Sequence, residues 1–284
     1  MTTIHKYSML KSEFVTLVIA GVIASFAFYE YEQKQTEQST TSQRQSDHTI
    51  QAERVGKAPD FANIQNTKQK KQAFFEFLKP GIALENQRIE KERKRLEKIA
   101  SAFKESSVTD EQLSYAQRLS KLYNVEMSLN GIDQEWLNTM LHRVDVLPAA
   151  LVLVQAANES AWGTSRFATR ANNYFGQWCY SKGCGLVPLK RKDGMSHEVA
   201  KFNSVQQSIY GYFMNVNRNN AYQALREIRY QRHLSGKSLT DTDAAIALTE
   251  GLTKYSERGE AYVNDLKAMI RHNRAFWEQT STQQ

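Results

Sequence analysis

The residue of this chain best suited to acid chemistry is Glu159, which lies near the end of an apolar run from Pro148 to Trp162. Proline at a first helical position and glycine at Gly163 as a stop predict one helix over that run, and its apolar character nearly all round predicts burial. A carboxylate near such a helix end meets two effects that raise its pKa. Desolvation penalises the anion, and the negative end of the helix dipole opposes it further. A carboxyl group kept neutral near physiological pH can protonate a glycosidic oxygen as it leaves. Trp162, three residues on, offers an apolar wall. The competing reading is a structural glutamate paired with Arg166 or Arg170, and the residues alone leave both open.

Cys179 and Cys184 are the two cysteines. Export would favour a disulfide between them across a short loop, with free thiols as the alternative; with no histidine between or close after them they cannot furnish a four-ligand zinc site, which leaves metal binding the weaker reading. The N-terminus suits export. Lys6 and Lys11 precede an uncharged stretch from Phe14 to Tyr29, closed by Glu30 and Glu32. The stretch falls short of the roughly 20 residues of a comfortable membrane span, so a cleaved signal and a short anchor are both open.

Four prolines in 284 residues leave long segments free to be helical. After the 1–30 targeting segment, residues 31–60 are Gln, Thr, Ser and charged residues with few large apolar side chains, a linker composition. From 61 to 109, apolar residues at helical spacing (Phe74, Phe75, Leu78, then Ile82, Ile89, Leu96) predict two helices interrupted at Pro80-Gly81, an arm with a heavily charged exposed face. Residues 110–284 then carry the chemistry. Asp110 and Asp133 are candidate helix caps, Glu198 to Phe202 has strand character, and helical periodicity returns from Val205 to Trp277.

Glu159 stands in Gln155-Ala-Ala-Asn-Glu-Ser-Ala-Trp-Gly-Thr-Ser-Arg-Phe167, followed by Asn172-Asn-Tyr-Phe-Gly-Gln-Trp178, by Asn203-Ser-Val-Gln-Gln-Ser-Ile-Tyr-Gly-Tyr212, and by Lys254-Tyr255-Ser256 with Ala261-Tyr262-Val263. These four blocks, in this order, resemble the glucosaminidase family of peptidoglycan hydrolases. The stretch after Gly176, with its Gln-Trp-Cys and Gly-Cys-Gly, looks most like the bacterial Bax-type members, and the resemblance covers about 137–275.

The resemblance implies an α+β, mainly helical fold, a lysozyme-like catalytic domain with a small β-lobe beside the cleft. It implies an endo-β-N-acetylglucosaminidase that cuts the β-1,4 bond after N-acetylglucosamine, Glu159 matching the catalytic acid and Tyr255 the active-site tyrosine. It also implies peptidoglycan glycan strands as partner; the N-terminal segment adds the expectation of a periplasmic protein, exported or anchored to the inner membrane, and no cofactor or metal is expected.

Asn173, Phe175, Gln177, Trp178 and Tyr212 are expected to line the cleft, since sugar faces stack on aromatic rings and hydroxyls need amide partners. The second carboxylate is where the chain departs from the family: many members carry a β-lobe glutamate, whereas 187–192 here is basic. Glu198 and Asp193 are the remaining acids nearby, Glu198 being preferred; without a base, the substrate's own acetamido group would serve. Two other readings stay open, a muramidase or lytic transglycosylase on the same fold and a non-catalytic wall-binding protein. The net charge of +7 suits an anionic partner. No nucleotide-binding glycines, metal motif or nucleic-acid module accompany it.

Overall fold

Asn66 starts the longest element: its side chain accepts from the Gln69 N–H at 3.0 Å and caps helix α1, Thr67–Lys104. At 1.5 Å per residue this helix runs about 57 Å. The computed structural model describes residues 55–189, 191 and 194–278. The targeting segment, most of the linker and Asp193 lie outside them, and no helix among the described residues is long and apolar enough to cross a membrane.

Contrary to the sequence expectation, Pro80-Gly81 does not break α1. Apolar side chains on both sides of the proline, from Phe74, Phe75 and Leu78 to Ile82, Ile89, Leu96 and Ile99, are buried in one core cluster, and that burial outweighs the missing backbone bond. Gly81 serves close packing: a methyl there would lie 2.4 Å from Val55 Cγ2 and 2.6 Å from Ile209 Cδ1. The 61–109 segment shares its core with the helices that follow.

Eight further helices follow among the described residues: α2 Asp110–Tyr123, α3 Gln134–Arg143, α4 Ala149–Ser160, α5 Arg166–Ala171, α6 Val205–Arg218, α7 Gln223–Leu234, α8 Thr242–Thr249 and α9 Glu260–His272. The cap of α2 is Thr109, one residue before the expected Asp110, because Thr109 and Gln112 satisfy each other's backbone N–H in a capping box. Asp133 caps α3 as expected, accepting from the Trp136 N–H at 2.7 Å. Helix α4 is buried nearly all round, as its apolar run predicts, with Leu151, Val152, Leu153 and Val154 all fully inaccessible.

Between α5 and α6 lies a three-stranded antiparallel sheet, β1 Trp178–Cys179, β2 Gly185–Leu186 and β3 Glu198–Ala200, ordered β1-β3-β2. Trp178 and Leu186 both pair with Val199. Gly185 is required there, since a methyl would sit 1.9 Å from the Val199 carbonyl oxygen. Cys179 and Cys184 are joined in the expected disulfide, which closes the β1–β2 loop. The architecture is the mainly helical α+β arrangement with a small sheet that the sequence predicts.

The start of α4 is fixed by a buried arginine. Arg229 of α7 donates to the carbonyls of His142, Arg143, Asp145 and Val146 and to Asn217 Oδ1, so α7 clamps the turn that leads into α4.

Candidate active site

Helix α4 delivers Glu159 in its last turn. It ends at Ser160, before the expected stop at Gly163, and Ala161, Trp162 and Gly163 all have positive φ (50°, 57° and 78°). Left-handed backbone at two non-glycine residues costs energy. Here the turn is held by the Ser160 Oγ, which accepts from the Gly163 N–H at 2.8 Å. A methyl on Gly163 would meet the Phe61 ring at 2.4 Å, so glycine is obligatory at the point where the chain leaves the helix.

Glu159 is half-buried, and burial pushes its carboxyl pKa up. Two hydrogen bonds oppose that shift, from the Tyr262 hydroxyl at 2.9 Å and the Asn158 amide at 3.2 Å, both to Oε1. It has no ion-pair partner among the described residues. Arg166, the expected competitor, donates instead to the Val187 carbonyl and covers the Phe167 ring. The second oxygen, Oε2, faces Gly176, whose φ is 65°; a methyl added there would come within 3.4 Å of it.

Tyr262 belongs to a polar relay through the apolar core. Tyr212 donates to Gln155 Oε1 at 2.5 Å, Gln155 Nε2 donates to the Tyr262 hydroxyl at 3.0 Å, and Tyr262 donates to Glu159. Gln155 precedes Glu159 by one helical turn, so both reach the same face of α4. Around them stand four tyrosines, 212, 222, 255 and 262. Burial pushes each phenol's pKa up, and the neighbouring Glu159 charge adds to the shift. The aromatic wall beside Glu159 is thus built of tyrosine. Trp162, expected in that role, packs its ring on Phe74 and Phe75.

Tyr255 stacks on Tyr262 with ring centroids 5.6 Å apart and 5° between planes, and its hydroxyl donates to the Phe175 carbonyl at 2.9 Å. It thereby ties the Phe175-Gly176 turn to the tyrosine cluster. Asn173, Phe175 and Tyr212, expected to line the cleft, are buried to 1%, 2% and 0% exposure. The Asn173 amide donates to the Gln177 and Ala200 carbonyls and its Oδ1 accepts from the Phe175 and Gln177 N–H groups, so its capacity is spent on shaping the turn. Phe175 stacks on Tyr212 at 4.3 Å. Gln177, half-buried, bonds the Ser208 carbonyl and hydroxyl. Trp178 alone of the five has an accessible ring, 52% exposed and stacked at 3.9 Å on the His197 imidazole.

Glu198 lies on β3 opposite Cys179, with its oxygens accepting from the Gly183 N–H at 2.9 Å and the Gly185 N–H at 2.8 Å. Those bonds hold its carboxyl below the usual carboxylate range. The geometry is that of an anchor for the disulfide loop. Its oxygens also approach both cysteine sulfurs, but the sulfurs are bonded to each other and offer no thiolate.

Residues 134–275, which contain Glu159, Glu198, Tyr255 and Tyr262, match the glucosaminidase family model, described as mannosyl-glycoprotein endo-beta-N-acetylglucosaminidase. The chain belongs to the glucosaminidase family. Its glucosaminidase domain is of the kind that acts as a glycosidase on peptidoglycan. The chain is also 28% identical over 286 residues to Protein bax of Escherichia coli (strain K12), covering 96% of each chain. No solved structure matches it. The glucosaminidase match begins at the first residue of α3, so the tyrosine relay and the β-lobe fall inside it while α1 lies outside.

Tyr262 carries the contact that sequence reasoning missed. It stands in the last of the four quoted blocks, but a tyrosine inside an amphipathic helix reads as core. Gln155 gave a partial signal, as a polar residue on an apolar helix that had to find a partner.

Proposed function

We propose that this glucosaminidase is an endo-β-N-acetylglucosaminidase of peptidoglycan, cleaving the β-1,4 bond after N-acetylglucosamine, with Glu159 as general acid. The observation that carries the reading is the state of Glu159: half-buried, without an ion pair among the described residues, its pKa raised by desolvation, one oxygen held by Tyr262 and the other beside Gly176. Such a carboxyl can carry a proton to the glycosidic oxygen and, once ionised, accept one from the incoming water.

Glu198 is committed to two backbone N–H groups, which favours a reaction in which the 2-acetamido carbonyl of the substrate attacks C1 while Glu159 protonates the leaving oxygen. Water then opens the resulting oxazolinium ring. In this scheme Tyr255 is a positioning residue, holding the Phe175-Gly176 turn in place, and Trp178 offers a face for a sugar ring. Export to the periplasm belongs to the same reading: the wall lies there, and the Cys179–Cys184 bridge suits an oxidising compartment. The N-terminal segment would then serve either as a cleaved export signal or as an inner-membrane anchor, which cell fractionation distinguishes.

Mass spectrometry of digested sacculi tests the bond. Products with reducing-end N-acetylglucosamine support the assignment, anhydromuramyl ends would move the protein to the lytic transglycosylases, and binding without release of fragments would leave a wall-binding protein.

A further inference from the structure

Away from Glu159, the first turns of α1 and the C-terminal turn Arg274–Phe276 enclose a groove of about 530 Å³. Lys68, Lys71 and Lys79 line it from one helix, and His272 lines it from the end of α9. None of the three lysines has a carboxylate partner among the described residues. The Lys71 ammonium donates to Asn273 Oδ1 at 3.0 Å and lies over the Trp162 ring, and the Lys79 ammonium donates to the Phe276 carbonyl at 2.7 Å. Both acceptors are neutral, and Lys68 is exposed.

The first turn of α1 carries no acidic residue, so beyond the neutral Asn66 cap no side-chain charge offsets the positive end of the helix dipole where Thr67 and Lys68 enter the groove. One acid lines the groove, Glu76, bonded there to the Gln72 amide. Ala275 and the half-buried Phe276 supply an apolar part. The cavity has the size of small-ligand sites, which run to about 300–1,000 Å³.

We propose that this groove binds the peptide stem of the wall polymer, as a second subsite apart from Glu159; this rests on the reading of peptidoglycan as substrate. The glycan backbone of that polymer offers sugar hydroxyls and amides, while its stems carry several carboxylates, one free amine and short aliphatic side chains. Three lysines face the carboxylates, Glu76 takes the amine, and Ala275 with the half-buried Phe276 ring covers the aliphatic part. A phosphate-bearing ligand would use the lysines and leave Glu76 as a repulsive neighbour, so the mixed charge of the groove favours the zwitterionic peptide.

The test measures anisotropy of a fluorescent synthetic stem tetrapeptide on the full-length chain, beside cleavage of a peptide-free glycan. Lys68→Glu combined with Lys79→Gln should weaken peptide binding about tenfold or more and leave cleavage of the peptide-free glycan unchanged. Lys237→Glu, which reverses the charge of an exposed lysine elsewhere, should leave binding unchanged. Binding should weaken with salt and vanish when the peptide carboxylates are amidated. Equal loss in the Lys237 variant, retained binding of the amidated peptide, or displacement by inorganic phosphate at matching concentration would each overturn the assignment. Peptide binding by a wild-type protein that cleaves no glycan would sink the hydrolase reading and leave the groove standing.

Discussion

The Tyr262 hydroxyl donates to Glu159 Oε1 across 2.9 Å, joining residues 103 positions apart in sequence. Burial raises the Glu159 pKa, while this bond and the weaker one from Asn158 draw it back down, so one of the opposing contributions can be removed singly.

Tyr262→Phe should therefore raise the Glu159 pKa further. The general acid must be protonated to act, so the alkaline limb of the kcat profile is expected to move to higher pH. The same change leaves the buried Gln155 Nε2 without its acceptor, a loss of about 1–3 kcal/mol in folding stability. A profile whose alkaline limb stays put, measured on a variant shown to be folded, removes Tyr262 from the tuning of the acid.

Glu159→Gln should lower turnover by roughly 10²- to 10⁴-fold, the usual size of general acid catalysis. Its stability should move the other way. The folded pKa of Glu159 is raised, so the native state binds the proton more tightly than the unfolded chain. That stabilisation is complete below the unfolded pKa and is lost as pH rises through the folded value. The glutamine variant is expected to match wild type in acid and to exceed its Tm near neutral pH. Paired melts at the two pH values check this, and a variant less stable at neutral pH would show that the native site favours the carboxylate.

Glu198→Gln replaces one acceptor oxygen facing Gly183 or Gly185 with a donor. The Glu198 pKa is lowered in the folded protein, so its contribution to stability is present above the unfolded pKa and lost as pH falls through the folded one. Faster hydrogen exchange at those two glycine amides is expected, with a smaller loss of turnover than at Glu159. Unchanged exchange with turnover as low as that of the Glu159 variant would make Glu198 a catalytic base instead of an anchor.

Gly81→Ala tests the unbroken α1. Helix propensity alone predicts a gain of about 1 kcal/mol. The added methyl would lie 2.4 Å from Val55 and 2.6 Å from Ile209, and overpacking of this kind costs about 1–3 kcal/mol. The expected result is a lower denaturant midpoint. A higher one would mean that α1 and α6 approach less closely.

Much of this protein was legible along the chain because the signals are local. Caps at Asp133, the apolar run ending near Glu159, the strand character at Glu198 and the short Cys179–Cys184 loop each depend on neighbours within a few residues, and they appear where expected apart from shifts of one to three positions. Glu159 could be picked out because a lone carboxylate in an apolar helix is conspicuous.

Tertiary structure decided what each signal was for. Pro80-Gly81 reads locally as a break, yet burial on both sides of it keeps one helix. Asn173 and Tyr212 read as cleft residues, yet their polar atoms are satisfied within the fold. The partner of Glu159 comes from α9 and the anchor of Glu198 from the disulfide loop. Sequence records which groups are costly to bury, and only the folded chain determines which distant group satisfies each of them.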